Sequence, residues 1–385
     1  MNHLQISSLS KQIPISLVIS LTAFSQIVET IYSPILPLIE THFNVSQNQV
    51  SLTISLYFIA FAFGIIFWGV LCDVLGCRKT ILVALLCYLL SVILSLIVNR
   101  FEHLLIARLL MAFSASIGSI GTQTLCREFV KKEYLRTLFT LVGIALAISP
   151  ALGLMLGSLI SQFWGMYTSF ISLANLGLVL IIWSFYKLPT TQVKKYSTKT
   201  LLSTFFKIIS DIQIWKSTLL IATFNLMLFS YYQQAPFIFK ERLLSPFLYG
   251  ISGFLISIGS LIGAILNYCL CRYYHWHQSQ LIKLALIIAL ISSLFLFLIE
   301  DSIIFYLPML GIMLAYNIAI PNILATALTQ YKEALGTAGS ILGFLYYSLI
   351  GIGLIIADII NSLSLTILLS SLIAVITFLS FKKNT

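Results

Sequence analysis

The sequence predicts an all-α integral membrane protein with twelve spanning helices arranged as two six-helix bundles. Of its 385 residues, 59% are hydrophobic and only 9% charged, and the mean hydropathy is +1.02. Soluble domains carry about 25% charged residues, so a soluble enzyme is excluded. The apolar runs are long and do not alternate in polarity, which selects helices over barrel strands as the way to satisfy the backbone in lipid. One polar interval, Lys187 to Lys216, holds six lysines and divides the chain in two.

Taken in order, the first half offers apolar stretches near 13–36, 50–71, 80–98, 103–125, 137–160 and 164–186. The second offers 217–239, 248–271, 281–299, 302–328, 336–358 and 362–381. Each approaches the ~20 residues needed to cross hydrocarbon. Lys11 ahead of the first run resembles the start of a signal peptide. That run is longer than the usual 7–15 apolar residues and has no small-residue cleavage site, so it reads as the first span. The expected division is 1–186, a linker at 187–216 with a short surface helix around Leu201–Ile209, and 217–385.

Orientation follows from the basic residues, which stay on the cytoplasmic side. With the N-terminus inside, all but four of the 22 Lys and Arg fall in cytoplasmic segments. The exceptions are Arg100, Lys240 and Arg242 outside, and Arg108 within the fourth span. Both termini are therefore expected in the cytoplasm. The net charge of +10 is a topology signal, and without aromatic-interleaved basic motifs it does not indicate nucleic acid. The six cysteines, at 72, 77, 87, 126, 269 and 271, fall in helices or at cytoplasmic ends, where thiols stay reduced. Cys269, Cys271, His275 and His277 resemble a small metal cluster, but helical residues two apart point about 200° apart. They read as an ordinary helix end, and no metal is expected.

The motif content lies at the ends and along the faces of the spans. After the second, Gly64, Gly69, Asp73, Gly76, Arg78 and Lys79 form a loop whose glycines permit close packing, whose acid can meet a facing helix end and whose cations anchor the basic side. This segment resembles the loop between helices 2 and 3 of the major facilitator superfamily, which implies the major facilitator fold and a gating role for Asp73 and Arg78. A purely topogenic basic loop is the alternative. The second-half counterpart, Gly259 and Gly263 through Arg272, keeps the glycine spacing without the acid and supports an internal repeat. In the fifth span, Gly143, Pro150, Gly153 and Gly157 resemble the Gly/Pro motif of proton-antiport exporters, although Ser149 and Leu154 replace its usual glycines. Pro150 is expected to kink the helix, and the glycines to admit a neighbour. Simple packing explains that stripe as well.

Further stretches resemble the Bcr/CflA-type drug-resistance transporters along the whole chain: Tyr32-Ser-Pro34 with Pro37, Arg127-Glu128, Ser230-Tyr231 with Ala235-Pro236-Phe237, and Pro321-Asn322 followed by Gly336, Gly339 and Gly343. The resemblance implies a proton-driven inner-membrane antiporter that exports small, often amphipathic drugs or metabolites and works as a monomer. No Gly-x4-Gly-Lys-Ser/Thr phosphate loop is present, so the proton gradient and not ATP is the expected energy source, with no cofactor.

An ionisable group inside the membrane is a functional candidate by default. Glu29 lies about 16 residues, ~24 Å, into the first span, and Arg108 lies at a matched depth in the fourth. Arg108 corresponds to the superfamily's fourth-helix Arg, with Met111 and Ala112 in place of its usual companions. The opposed influences of burial and a nearby Arg would make Glu29 responsive to protons. The subfamily's acid, however, sits where this chain has Thr30, a turn of about 100° around the helix, so Glu29 serves either coupling or a structural ion pair. Asp358, near the outer end of the eleventh span, reads as an interfacial residue or a cap for the twelfth, and Glu300 and Asp301 as solvated loop charges. Gln26, Tyr32, Asn225, Tyr231, Gln234, Tyr316, Asn317 and Tyr346 are the candidate lining of a substrate cavity. With so few carboxylates it favours neutral, zwitterionic or anionic cargo. A symport importer on the same fold is the nearest alternative. A membrane enzyme would need a nucleophile-base pair or metal cluster at the membrane surface.

Overall fold

The computed structural model describes residues 13–130, 132–190 and 205–381, and every regular element among them is helical. In the first half, α1 covers Ile15–Phe43, α2 Gln47–Leu75, α3 Cys77–Ile97 and α4 Phe101–Cys126. A single stretch, Lys132–Lys187, then holds both α5 (132–164) and α6 (166–187). In the second half, α7 is Ile212–Glu241, α8 Pro246–Arg272, α9 Gln278–Leu298, α10 Met309–Ala327, α11 Leu335–Ile360 and α12 Leu363–Phe381. Among the described residues, eleven stretches are long and apolar enough to cross a membrane. One of them, Leu141–Lys187, has 47 residues, or ~70 Å at 1.5 Å per residue, over twice the hydrocarbon thickness. It turns at Gly165, whose φ of 79° and ψ of −173° leave helical geometry, and so supplies two spans.

Other boundaries also differ from the sequence reading. The first span continues past residue 36 because Pro34 opens a 3-10 turn, Ser33–Ile35, that leads directly into more α-helix. The tenth begins at Met309 and not at 302, because residues 302–308 form successive turns held by Arg242. Pro150 lies inside α5, and the stretch leaves helical backbone angles at Gly165. Of the anticipated surface helix, residues 205–209 are helical and 201–204 lie outside the described residues, as do Lys11, Lys131, Lys194, Lys195, Lys199, Lys382 and Lys383.

The chain divides into two compact units, Met1–Val45 with Leu56–Thr198, and Ser46–Ser55 with Lys199–Thr385. The first turns of α2 thus belong with the second unit, where Gln233 of α7 donates through Nε2 to the Ser51 carbonyl (3.2 Å) and Ser55 Oγ (2.9 Å).

Small residues decide how closely helices approach within each unit. In the first, a methyl on Gly64 of α2 would collide with the Phe113 carbonyl and Ser116 Oγ of α4. That carbonyl accepts from the Trp68 indole (2.7 Å) and the Ser116 hydroxyl (2.7 Å), where α4 loses helical continuity at Ser116. In the second unit, methyls on Gly259 and Gly263 of α8 would collide with the Leu310 and Leu314 carbonyls of α10. The second and fourth helices of each half therefore meet through glycine on backbone. Charge closes one end of the second unit. Arg242 donates to the Ser302 (2.7 Å) and Glu300 (2.5 Å) carbonyls, and the Glu300 carboxylate accepts from Ser362 Oγ, Ser364 Oγ and Ser364 N at the start of α12. Glu300 is thus a helix cap and not a solvated charge. It fills the role that the sequence offered to Asp358, which is buried in α11 instead.

Candidate functional site

The first unit buries an acid and a guanidinium. Glu29 on α1 is 5% exposed and Arg108 on α4 is 1% exposed. The Arg108 guanidinium carbon lies over two aromatic faces, 3.7 Å from the ring centroid of Tyr32 and 4.3 Å from that of Tyr57. Tyr32 stands one turn after Glu29 on α1, and Tyr57 comes from α2. A guanidinium over a desolvated ring gains ~2 kcal/mol or more from the ring quadrupole, which offsets part of the cost of burying the charge. The ring faces use none of its N–H groups. Among the described residues, Arg108 Nε, Nη1 and Nη2 and Glu29 Oε1 make no hydrogen bond. Arg108 is the opposite charge within electrostatic reach of Glu29, yet no hydrogen-bonded ion pair joins them. Tyr88 of α3 is buried edge-on to Phe24 of α1 (4.7 Å between centroids).

The α1 register separates Glu29 from its neighbour. Thr30 donates to the Gln26 carbonyl (2.8 Å), and a methyl on Gly153 of α5 would overlap its Oγ1. A methyl on Gly157 would stand 2.6 Å from the Ile31 carbonyl oxygen. Thr30 and Ile31 therefore form the α1–α5 seam, while Glu29 belongs to the Arg108 cluster. Gly153 and Gly157 let α5 lie directly against the α1 backbone, and Pro150 is buried one turn away. Ser25 (to the Ala115 carbonyl, 2.8 Å) and Thr22 (to Thr122 Oγ1, 3.1 Å) pin α1 to α4 on another side.

The loop after α2 is ordered around Gly76, at a φ of 84° that only glycine adopts readily. Arg78 donates to the Phe185 carbonyl at the end of α6 (2.7 Å), and Thr80 to the Leu71 carbonyl (2.9 Å). Asp73 and Gly69 are half-buried and Lys79 is exposed. Within this loop, the Cys72 and Cys77 sulfurs stand 3.4 Å apart.

Of the anticipated cavity residues, Gln26 and Tyr32 belong to the first unit. In the second, Tyr316 donates to Asn225 Oδ1 (3.1 Å), and Asn225 donates to the Ile221 carbonyl (2.8 Å). Tyr231 donates to Ser252 Oγ (2.5 Å), Gln234 to the Ala357 carbonyl (3.1 Å) and Asn317 to the Met313 carbonyl (3.1 Å). Tyr346 packs on Tyr347, with centroids 4.4 Å apart. Tyr231 and Gln234 are buried, while Asn317, Tyr316 and Tyr346 are half-buried. The sequence reading missed Tyr57, Trp68 and Gln233, each polar and set in an apolar helix. His277, considered above with the cysteines, caps α9 through reciprocal bonds with Gln280.

Comparison with known proteins adds three findings. The family model described as Major Facilitator Superfamily matches residues 18–380. An uncharacterized transporter of Rickettsia bellii is 31% identical over 88% of each chain, and the chloramphenicol resistance protein CraA of Acinetobacter baumannii is 25% identical over 60% of this chain and 57% of its own. The crystal structure of a D-xylose-proton symporter superposes with a TM-score of 0.72 at 15% identity, over 94% of this chain and 96% of that one, a likeness of fold alone.

Proposed function

Because the chain belongs to the Major Facilitator Superfamily, a family of secondary transporters, we propose that it is a proton-coupled antiporter. In this reading it exports small amphipathic compounds across the bacterial inner membrane, with both termini in the cytoplasm, in the manner of Bcr/CflA-type transporters. The observation that carries the reading is the buried Glu29–Arg108 cluster: a carboxyl group and a guanidinium, electrostatically coupled but not hydrogen-bonded to each other, with the cation held by ring faces so that its N–H groups remain uncommitted. A charge arranged this way responds to a proton on its partner. Glu29 takes a proton from the outer side as cargo leaves and releases it inward. Arg108 holds the carboxylate in place and senses its charge. The fifth-helix seam of Gly153 and Gly157 and the resistance function in the name of the Acinetobacter relative favour export.

The test is proton release from acidified inverted membrane vesicles when amphipathic drugs and metabolites are added, comparing wild type with Glu29→Gln. Cargo-dependent collapse of ΔpH in wild type alone is expected. Equal collapse in both would remove Glu29 from the coupling. Cargo-driven proton movement in the opposite sense would make the protein a symporter.

A further inference from the structure

The second unit contains a crevice of about 960 Å³, far along the chain from the Glu29 cluster and walled by α7, α9, α10 and α12. Its floor is apolar, formed by Leu220, Leu286, Leu290, Ile323 and Phe378, and its rim is polar, with Asp211, Gln280, Lys283 and Gln330. The rim lies at the start of α7 and α9 and the end of α10 and α12, the end where the lysines of this half gather.

The charges at the rim are unequally engaged. Asp211 is fully used: Oδ1 accepts from Gln213 N (2.8 Å) as the cap of α7, and Oδ2 accepts from the Tyr331 hydroxyl (2.9 Å). Lys207 stands over the Tyr331 ring at 5.6 Å, and Lys216 donates to the Ser380 carbonyl (2.9 Å). Lys283 is exposed and makes no hydrogen bond or ion pair among the described residues. Lys207 and Lys216 lie outside the lining, so the rim itself presents one ammonium, Lys283, and one carboxylate, Asp211, which is committed to two hydrogen bonds; the uncommitted charge is positive. Below it, Lys283, Leu286, Ile287 and Leu290 follow helical spacing on one face of α9 and all line the crevice. Seven residues of rise put ~10 Å of apolar wall directly beneath the ammonium.

We propose that this crevice holds an anionic phospholipid of the leaflet on the basic side, its phosphate at Lys283 and one acyl chain along Leu286, Leu290 and Phe378. An apolar wall below an uncommitted ammonium matches a lipid in both its parts. Basic pockets between spanning helices on the positively charged face recognise anionic headgroups in this way, and the lysine stem extends alongside the chain. A neutral lipid would find the same floor but leave the rim charge unanswered.

The experiment uses the full chain purified in detergent, with phosphatidylglycerol and phosphatidylcholine of identical acyl chains as probes. Retention is read by native mass spectrometry and stabilisation by the thermal unfolding midpoint. One phosphatidylglycerol per protein is expected, retained in preference to phosphatidylcholine and raising the midpoint. Lys283→Gln is expected to weaken that preference about fivefold, and Leu290→Trp, which fills the floor, to reduce retention of both lipids. Lys283 lies on the surface, so its variant keeps the test valid even where the tryptophan impairs folding. Equal retention of the two lipids with no effect of Lys283→Gln would overturn the headgroup assignment. Displacement of phosphatidylglycerol by a transported compound would overturn the lipid in favour of a cargo site.

Discussion

Gly157→Ala adds one methyl group where the structure has no room for it. That methyl stands 2.6 Å from the carbonyl oxygen of Ile31 and 2.9 Å from its Cα, whereas ordinary contact begins near 3.4 Å. The obstacle is backbone, so no rotamer change relieves it, and α1 and α5 must part by about 0.8 Å, the difference between 3.4 and 2.6. Overpacking of this kind costs about 1–3 kcal/mol. The displacement also moves α1, and with it Glu29 and Tyr32, relative to Arg108. The expected outcome is a lower thermal unfolding midpoint in detergent together with reduced transport at equal expression. Gly153→Ala gives an internal control, because its methyl meets the side chain of Thr30, with Cβ to Cβ at 2.9 Å. Thr30→Gly should therefore rescue Gly153→Ala in part, after the ~1 kcal/mol cost of a helical glycine, but leave Gly157→Ala unchanged. Wild-type stability and transport in Gly157→Ala, or rescue of both variants by Thr30→Gly, would refute the close-packed seam.

Tyr57→Leu removes one of the two ring faces under Arg108 and should lower stability by ~1–2 kcal/mol; a double-mutant cycle with Arg108→Met should show a coupling of at least ~0.5 kcal/mol. Arg108→Lys should not restore function despite retaining the charge, because an ammonium lacks the planar group that lies over the rings, and substrate-dependent ΔpH collapse measures this. Glu300→Ala removes the carboxylate that accepts from Ser362 and Ser364. Discounted for its half-exposed setting, the loss should be ~1–2 kcal/mol, visible as faster amide hydrogen exchange at the start of α12.

The spans were legible because hydrophobic length is a local property. Glu29 and Arg108 were legible for the same reason, as charges standing alone in apolar runs. Their surroundings were not. Tyr57 is one of 18 tyrosines, and nothing near it in the chain marks it as the partner of a residue 51 positions away. Register was ambiguous between positions 29 and 30 until the α5 glycines set Thr30 in the seam. Glu300 looked like an ordinary loop acid because the Ser362 and Ser364 groups it binds are more than 60 residues distant. Gly165, where the stretch leaves helical geometry, carried no comparable signal, because a single glycine within an apolar run does not mark a junction.

That break also bears on how the chain can change over generations. One residue connects α5 to α6, and its φ of 79° already excludes side chains that would strain there. Deleting it would pull α6 by one residue and rotate its faces by about 100°, turning Phe170, Leu173 and Ser184, all buried, away from their partners. Added residues would merely lengthen an exposed turn at little entropic cost. Chains descended from a common ancestor with this one can therefore vary in length at this junction in one direction only, by growing.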